Sequence, residues 1–268
     1  MKSEPAISVI TACYNHGRFI NEMLASVFSQ TFEDYEVIIV NDGSTDDTAE
    51  ILNKINHNKV RIIHTENLGP AAARNTAIKN ARAKFIMNID ADDIAAPFLL
   101  EKAYKILCSE KNAGIVYCDA KQIGAGNNQI ETGEYSRKAM LMNNRVISLA
   151  FFRKADWEKI GGYSNELIYG MEDWDLWLSI IELGRDVLKI EDAKFYYRTY
   201  EHPAESRSGR RKADRMKADI SICIIFNRHK KLYSEYPEIF RRFYWFEKRV
   251  KIKLFLNRIL SNTIFRSK

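Results

Sequence analysis

The acidic residues best placed to do chemistry are Asp90, Asp92 and Asp93, directly after the strand-like run Lys84–Met87. A buried strand that ends in such a cluster brings carboxylates close enough to repel one another. A cation among the oxygens removes that repulsion, and hard divalent ions such as Mg²⁺ and Mn²⁺ prefer oxygen ligands. The spacing therefore indicates a metal site. A solvated acidic turn that caps the helix after Pro97 is the competing interpretation.

A second acidic group opens an amphipathic helix predicted over Glu172–Leu183, with Gly184 as its stop signal. The first six residues, Glu172–Trp177, hold three acids and two tryptophans. The helix dipole favours acids in a first turn, which is one explanation for them. An acid surrounded by aromatic rings can also act as a general base beside a sugar hydroxyl, because the rings exclude water and stack on the sugar. Both interpretations stay open from these residues alone.

The segment Asn41–Thr48 follows a predicted strand and opens a helix, with Ser44 or Thr45 expected as the N-cap. Asp42, at the strand end, can accept hydrogen bonds from a nucleobase or a ribose. The acid spacing also matches the first ligands of an EF-hand calcium loop, but that loop requires a glycine where this chain has Asp47. The calcium interpretation therefore fails, and a simple turn with a helix cap remains the alternative.

The segment Asn67–Asn75 is a loop that leads into a helix of small residues. Such a helix can pack closely under the rim of a sheet and present backbone N–H groups, or the side chain of Arg74, to a phosphate. An alanine-rich helix with a salt-bridged arginine explains the same residues. The chain has no Walker A sequence, and Gly124–Gly126 is no dinucleotide fingerprint because Gln129 stands where the next glycine is required. Redox and kinase-like functions therefore lose their main support.

Strand and helix patterns alternate along the first 120 residues, as in a parallel sheet covered by helices on both faces. Helical patterns lie near residues 18–30, 45–57, 70–83 and 97–111, and the β-rich runs are Ile7–Thr11, Glu36–Val40, Val60–Ile63, Lys84–Ile89 and Ile115–Cys118. Such sheets bind ligands at the carboxyl ends of their strands. The segments Tyr14–Asn15, Asn41–Asp42 and Asp90–Asp93 all lie just past strand ends, so we expect them to meet at one rim.

Charge divides the chain into two parts. Residues 207–268 hold 18 Lys and Arg against 5 Asp and Glu, a net charge of +13, and because the whole chain carries +6, residues 1–206 carry −7. With 268 residues, 46% of them hydrophobic, the chain can bury a large core. We predict a globular domain over 1–206, with halves at 1–120 and 121–206, and a basic, aromatic-rich helical tail over 207–268. The turn Gly124–Asn128 is expected to connect a hairpin.

The basic tail has three interpretations. Cations mixed with large apolar side chains over Arg241–Leu256 suit an amphipathic helix at an anionic membrane surface. The same segment can also pack on the globular body or on a partner subunit. Basic and aromatic residues suit nucleic acid as well, but the acidic body and the lack of a recognisable module argue against it, so we expect no nucleic-acid partner.

The cellular location is predicted from apolar stretches and cysteines. The N-terminus has no long apolar stretch of the signal-peptide kind, and Ile220–Phe226 is too short to span a bilayer. The four cysteines have no CxxC spacing, so we expect them to be reduced and structural. We therefore expect a cytoplasmic protein, with peripheral attachment to the inner face of the cell membrane through the tail.

Taken together, these motifs resemble the family 2 glycosyltransferases of the GT-A fold. The resemblance covers about residues 5–205, in the ordered set Ile7–Ile10, Tyr14–Asn15, Ser29–Thr31, Asn41–Asp46, Gly69–Asn75, Asp90–Asp93 and Glu172–Trp177. It implies an α/β fold, a single GT-A domain with a mainly parallel nucleotide-binding sheet flanked by helices, plus the basic C-terminal helical appendage. The chain departs from the family at Ala12, where many members carry proline, and this position acts through its backbone.

The resemblance implies donor contacts for individual positions of this chain. The residues implied to bind the nucleotide-sugar are Ala12, Tyr14 and Asp42 in the nucleoside pocket, Gly69 and Arg74 near the base or diphosphate, and Asp90 with the adjacent Ala91 near the ribose.

The resemblance also implies the metal ligands and the catalytic groups. Asp92 is the implied ligand of Mn²⁺ or Mg²⁺. His202 is a second candidate ligand, within a segment similar to the family's C-terminal loop that closes over the diphosphate. Asp173 is the implied catalytic base, Glu172 orients the acceptor or its loop, and Trp174 contacts the acceptor.

The implied reaction is an inverting transfer of sugar from a nucleoside diphosphate sugar, expected to be a UDP-sugar, to a hydroxyl of a saccharide or lipid-linked acceptor. A base removes the hydroxyl proton, and the metal neutralises the departing diphosphate. Synthesis of a surface polysaccharide or of a lipid-linked oligosaccharide is the expected setting. A nucleotidyltransferase also places metal-binding carboxylates at strand ends, but it leaves Glu172–Trp177 unexplained. Nucleic-acid binding through the tail is the other alternative.

Overall fold

The computed structural model describes residues 4–147, 149–202 and 214–266. The strands are β1 (Ile7–Cys13), β2 (Tyr35–Asp42), β3 (Val60–Thr65), β4 (Phe85–Asn88), β5 (Ile94–Ala95), β6 (Ala113–Gly124), β7 (Gln129–Ile130), β8 (Ala150–Arg153) and β9 (Asp186–Thr199). The helices are α1 (Gly17–Phe28), α2 (Thr48–Asn53), α3 (Pro70–Asn80), α4 (Leu99–Ser109), α5 (Arg137–Met142), α6 (Lys154–Ile160), α7 (Glu172–Glu182), α8 (Arg215–Arg228), α9 (Lys230–Ser234) and α10 (Pro237–Arg266).

These strands form one mainly parallel sheet in the order β3-β2-β1-β4-β8-β6-β9-β5, with β7 paired to the edge of β6. Strands β1 to β4 run parallel, as do β6 and β9, whereas β8 runs antiparallel between β4 and β6. The strand order changes direction between β1 and β4, where open α/β sheets bind ligands. The mixed α/β sheet with flanking helices confirms the predicted fold class.

The register of the parallel strands brings their carboxyl ends to one rim. Cys13, the last residue of β1, pairs with Asn41 of β2, and Ile10 of β1 pairs with Asn88 at the end of β4. The loops that follow these strands therefore start side by side. This arrangement confirms the expectation that the polar segments after β1, β2 and β4 meet.

The second half of the sheet departs from the βαβ rhythm. The predicted turn Gly124–Asn128 connects β6 to β7, which pair antiparallel with Lys121 opposite Gln129. β8 enters the sheet from the opposite direction, with Phe151 facing Met87 on β4 and Val116 on β6. Alternation of strand and helix in the sequence gives no sign of this insertion, because strand order is decided by tertiary packing.

A hydrophobic core lies between the sheet and the helices α1 and α4. Ile20, Met23 and Val27 recur on one face of α1, at the spacing of an amphipathic helix, and are buried. They belong to one cluster with Val9 of β1 and Leu107 of α4. Full burial of each such side chain contributes about 1.5–3 kcal/mol. This core holds the strands in place whose carboxyl ends form the rim.

The described residues divide into two compact units. The first comprises residues up to 165 together with 172–201, and the second comprises 166–171 and residues from 202 onward. The predicted domain boundary between 206 and 207 lies outside the described residues and stays a prediction.

The second unit has its own small core of helices. Phe226 of α8 packs against Tyr233 of α9 and Phe243 of α10, with ring centroids 5.1 Å and 6.0 Å away. The tail was predicted to hold two or three basic helices, and α8, α9 and α10 fit that prediction. Within the described part of the chain, no helix combines the length and the hydropathy needed to cross a bilayer.

Candidate active site

The loop after β1 is fastened to the loop after β2 by side-chain hydrogen bonds. The backbone N–H of Asn15 donates to Ser44 Oγ at 3.0 Å, and Asn15 Oδ1 accepts from the N–H of Thr45 at 2.8 Å. Ser44 and Thr45 were predicted to cap the following helix, and this prediction is wrong. The N-cap of α2 is Asp47, and the two hydroxyl residues hold the neighbouring loop instead.

Asp42 fastens the loop after β2 to the loop after β3. Its two carboxylate oxygens accept the backbone N–H groups of Leu68 at 2.9 Å and Gly69 at 3.0 Å. Gly43, with φ 66°, permits this approach, because a side chain there would place its Cβ 2.6 Å from the backbone nitrogen of Asn67. Asp42 is thus a buried support of the rim, and its contact with a nucleoside stays a prediction.

The acidic turn after β4 is held by the end of β9. The backbone N–H of Arg198 donates to Asp93 Oδ1 at 3.0 Å, and Arg198 Nε donates to the carbonyl of Asp92 at 2.9 Å. The hydroxyl of Tyr200 donates to Asp92 Oδ2 at 2.5 Å, and His16 Nδ1 lies 3.8 Å from Asp92 Oδ1. The residue implied to bind a metal therefore has a protein group beside each oxygen.

The electrostatics of this turn disfavour its negative charges. Burial raises the pKa of Asp93 well above the usual aspartate range, and the carboxylates of Asp92 and Asp90 raise it further. Burial also raises the pKa of Asp92, while His16 opposes that effect. Asp93 Oδ2 is buried and has no hydrogen-bond partner among the described residues. Burial therefore disfavours the charged form of both carboxylates.

Arg74 joins the acidic turn to the first turn of α7. Its guanidinium donates from Nη2 to Asp90 Oδ1 and from Nη1 to Glu172 Oε1, both at 2.7 Å. Burial opposes the charge of Arg74, but Asp90 and Glu172 hold its pKa well above its usual value. A single side chain thus spans the two acidic clusters found in the sequence. Both clusters border one small region of the molecule.

Asp173, the predicted base, follows Glu172 in the first turn of α7. Its Oδ2 accepts a hydrogen bond from Asn144 Nδ2 at 2.9 Å, and its Oδ1 accepts the backbone N–H of Trp174 at 2.8 Å. Asn144 Oδ1 in turn accepts the N–H of Val146 at 3.1 Å, which fixes the amide orientation. The carboxylate is therefore oriented by a side chain from the loop after α5.

Trp174 is a buried residue of α7. Its side chain is 4% exposed, and its Nε1 donates to the carbonyl of Met140 at 2.8 Å. This hydrogen bond joins α7 to α5. The expectation that Trp174 contacts the acceptor stays a prediction.

The remaining predicted residues divide into those at the rim and one outside the first unit. Tyr14 is exposed past the end of β1, and Ala12 lies within β1 opposite Val40. Ala91 is buried in the core, so only its backbone can face a donor. His202 is exposed and belongs to the second unit, so its role as a metal ligand stays a prediction.

The sequence did not identify several groups of the site. Tyr200 and Arg198 lie in the segment implied to close over the diphosphate. The resemblance therefore pointed to this segment, but it assigned no role to either residue. His16 follows the Tyr14–Asn15 motif without belonging to it. Asn144 had no signal, because it lies in a loop whose shape cannot be read from the sequence.

The oxygen donors of the turn fit a divalent ion that is shared with a substrate. Within residues 4–147, 149–202 and 214–266, no cluster of three or more His, Cys, Asp or Glu side chains is arranged to hold a metal. Mg²⁺ commonly uses one or two carboxylates, several waters and substrate phosphates rather than a cage made only of protein. The buried carboxylates of Asp92 and Asp93 suit this mode of binding.

Comparison with known proteins places the chain in a family. The family model described as Glycosyl transferase family 2 matches residues 8–159, more than half of the chain, from β1 through α6. The chain belongs to glycosyl transferase family 2. A second model, described as the N-terminal domain of galactosyltransferase, matches residues 146–203, which include α7 and β9. The predicted family is therefore confirmed.

Curated relatives of this family 2 chain include two chondroitin synthases. The chondroitin synthase of Pasteurella multocida (strain Pm70) is 32% identical over 187 residues, covering 68% of this chain and 19% of that protein. The chondroitin synthase of Escherichia coli is 32% identical over 190 residues, covering 69% of this chain and 28% of that protein. The chain thus matches less than a third of the length of each of these relatives.

Solved structures show the same fold at lower identity. S. aureus TarS 1–349 in complex with UDP has a TM-score of 0.63 at 22% identity, covering 82% of this chain and 65% of that one. Mannosyltransferase PcManGT from Pyrobaculum calidifontis, in complex with GDP-Man and Mn²⁺, has a TM-score of 0.67 at 18% identity, covering 96% and 76%. The GT-A prediction is confirmed by this likeness, and the prediction of a glycosyltransferase enzyme agrees with the family.

Proposed function

We propose that this chain is an inverting, metal-dependent glycosyltransferase that moves a sugar from a UDP-sugar to an acceptor hydroxyl. The observation that carries the proposal is the Arg74 bridge, with 2.7 Å contacts to Asp90 and to Glu172. An enzyme of this kind needs a base beside the donor diphosphate, and the bridge brings the base-bearing turn next to the acidic turn. Family membership supports the same reaction class.

In the proposed reaction Asp173 accepts the proton of the acceptor hydroxyl as that oxygen attacks the anomeric carbon. Asn144 orients the carboxylate by its hydrogen bond at 2.9 Å. Glu172 faces Arg74 and holds the first turn of α7 against the acidic turn. Proton transfer and sugar transfer then occur in one displacement, which inverts the anomeric centre.

The proposed donor site is the rim formed by the loops after β1, β2 and β3. Tyr14 is exposed there, and Asp42 holds the backbone of Leu68 and Gly69. The UDP complex of TarS and the GDP-Man complex of PcManGT concern those proteins, and they support a nucleoside diphosphate at the corresponding rim of this chain. We favour uridine, as in the TarS complex.

The proposed metal is Mn²⁺ or Mg²⁺ on Asp92, shared with the donor diphosphate. When bound, the ion neutralises the charge that develops on the departing diphosphate. The Mn²⁺ of the PcManGT complex supports this choice. For the acceptor we propose a saccharide or lipid-linked saccharide, which the names of the two chondroitin synthases support. The experiment that tests the whole proposal is a donor screen with nucleotide sugars, Mn²⁺ and Mg²⁺, read as hydrolysis and as transfer.

Removing the carboxylate of Asp92 is expected to weaken metal-dependent donor binding. Asp92→Ala takes away the proposed protein ligand, so the affinity for UDP in the presence of Mn²⁺ should fall by more than about 10-fold. Isothermal titration with UDP, with and without Mn²⁺, measures this effect. Glu158→Ala, an exposed acid on α6, is the control. Normal Mn²⁺-dependent affinity in the Asp92 variant would defeat the assignment.

Removing the hydroxyl of Tyr200 is expected to strengthen metal binding. This hydroxyl donates to Asp92 Oδ2, so an ion that binds there must displace it. Because a hydrogen bond to a charged group contributes about 1.5–3 kcal/mol, Tyr200→Phe should raise the Mn²⁺ affinity roughly 10-fold in titration without donor. Tyr196→Phe, on β9 shortly before Tyr200, is the control. Weaker Mn²⁺ binding in Tyr200→Phe would instead mean that the tyrosine supports the ion.

A further inference from the structure

The outward face of α10 carries large apolar side chains opposite the face that packs. Ile239, Phe243 and Val250 are buried, and Phe243 packs against Phe226 of α8. On the other side of α10, Trp245 is 57% exposed and Ile252 is 59% exposed. These two residues are seven apart, which is two helical turns, so they form one stripe. Phe255, 64% exposed, lies on the next turn of the same side.

Basic residues border this apolar stripe. The segment Ile239–Phe255 contains Arg241, Arg242, Lys248, Arg249, Lys251 and Lys253, and its one acidic residue is Glu247. Glu247 is buried and accepts hydrogen bonds from Asn227 Nδ2 at 2.8 Å and from Lys251 Nζ at 2.5 Å. The outward surface of this segment is therefore apolar and cationic, with no exposed acid.

A groove extends the apolar surface beyond the helix. It has a volume of about 490 Å³ and is lined by Ser234, Pro237, Phe240, Arg241, Tyr244 and Trp245. Aromatic rings with a cation at their edge suit the region between lipid headgroups and acyl chains, where tryptophan and tyrosine concentrate. The groove and the stripe share Trp245 and so form one continuous surface.

We propose that this outward face of α10 docks the protein on an anionic lipid bilayer. Trp245 and Ile252 enter the headgroup region, and the bordering Lys and Arg side chains contact lipid phosphates. Charge complementarity identifies the occupant, since the surface offers cations and apolar groups together and an anionic leaflet offers phosphates above an apolar interior. The proposal does not depend on the reaction catalysed by the first unit.

The charges argue against the two other occupants. In a symmetric dimer the same patch would face itself, and its basic residues would lie against one another without acids to pair with them. A nucleic acid would satisfy the cations, but it would leave the aliphatic side chain of Ile252 without an apolar partner. Of these three occupants, the bilayer satisfies both the cations and the apolar side chains.

The test uses the full chain and lipid vesicles without donor or acceptor. Vesicles rich in phosphatidylglycerol are compared with pure phosphatidylcholine vesicles by co-sedimentation at low and high salt. We expect binding to the anionic vesicles that weakens at high salt. Absence of binding to anionic vesicles at low salt overturns the proposal, whatever the enzyme assays give.

Tryptophan fluorescence tests whether the stripe enters the lipid. The other three tryptophans, Trp157, Trp174 and Trp177, are buried, so quenching by brominated lipids reports on Trp245. We expect a blue shift and quenching on anionic vesicles. Sedimentation without any change at Trp245 overturns the proposed docking face.

Matched variants separate the two components of the surface. Trp245→Ser is paired with Phe98→Ser at the N-cap of α4, because Phe98 is 56% exposed and lies in the first unit. The triple change R241Q, K248Q, R249Q is paired with K54Q, K79Q, K84Q, which removes the same charge from exposed positions of the first unit. Loss of three cations near an anionic surface should weaken binding on the order of 100-fold.

The outcomes of these variants decide the proposal. The proposal is supported if Trp245→Ser and the triple change R241Q, K248Q, R249Q lose vesicle binding while both control variants bind normally. Equal loss of vesicle binding in the two triple variants overturns the proposal, because a general effect of net charge would then explain the binding. A dimer by light scattering that Trp245→Ser abolishes, or salt-sensitive RNA binding in place of vesicle binding, overturns it in favour of another occupant. Circular dichroism checks that each variant is folded.

Discussion

Asp173→Asn is expected to lower sugar transfer by about 10²–10⁴-fold while sparing donor binding, because a single well-placed base contributes this much to rate. Asparagine keeps the size of the side chain and can still accept the N–H of Trp174, but it cannot take a proton. The measurement is kcat for transfer together with titration of UDP and Mn²⁺. The expected pattern is a large loss in kcat with unchanged donor affinity.

Two further variants support the interpretation of that result. Asn144→Ala removes the group that orients Asp173 and should reduce kcat by roughly 10-fold, since a hydrogen bond to a charged group is lost. Glu158→Gln, at an exposed position of α6, should leave transfer unchanged. If Asp173→Asn retained nearly full transfer, the base would lie elsewhere and the proposed mechanism would be wrong.

Arg74→Met is expected to destabilise the fold by about 3–5 kcal/mol, because it leaves the buried Glu172 and the partly buried Asp90 without their shared counterion. Asp90 and Glu172 each lose a 2.7 Å contact with the guanidinium. For a chain of this size the melting temperature should fall on the order of 10 °C, as measured by calorimetry or circular dichroism. Activity should fall as well, since the acidic turn and the first turn of α7 lose their connection.

An exposed arginine provides the comparison for Arg74. Arg82 contacts the buried Glu36 at 2.9 Å but is itself more than half exposed, and Arg61 also contacts Glu36, at 3.2 Å, so Arg82→Met should cost no more than about 1 kcal/mol. Adding Glu172→Gln to Arg74→Met should recover part of the lost stability, because one uncompensated charge disappears. If Arg74→Met and Arg82→Met had equal melting temperatures, the contacts of Arg74 with Asp90 and Glu172 would not contribute to the stability of the fold.

The sequence predicted the parallel half of the sheet well. The β-rich runs that became β1 to β4 are apolar and lie between helical patterns, so local composition and long-range packing agree there. The residues of the candidate site in this half followed from their positions just after strand ends. The helix α2 is shorter than predicted, because the residues before it are bound by Asn15 of the neighbouring loop.

Interactions between distant segments could not be predicted. Trp174 satisfies the periodicity of an amphipathic helix whether its ring is buried or faces a ligand, and only packing against α5 decides this. Asn144 reaches Asp173 from 29 residues away, and Tyr200 reaches Asp92 from 108 residues away. A single polar residue in a loop belongs to no sequence pattern from which such a partner can be predicted.

The fastened loops at the rim bear on how donor preference could be altered. Asn15 holds the loop after β2, and Asp42 holds the loop after β3, so the three loops depend on one another. A graft that transplants one of them from a relative would sever hydrogen bonds to its neighbours and distort the recipient. For a donor that binds at this rim, as proposed, changing the nucleotide preference calls for exchanging all three loops as a set.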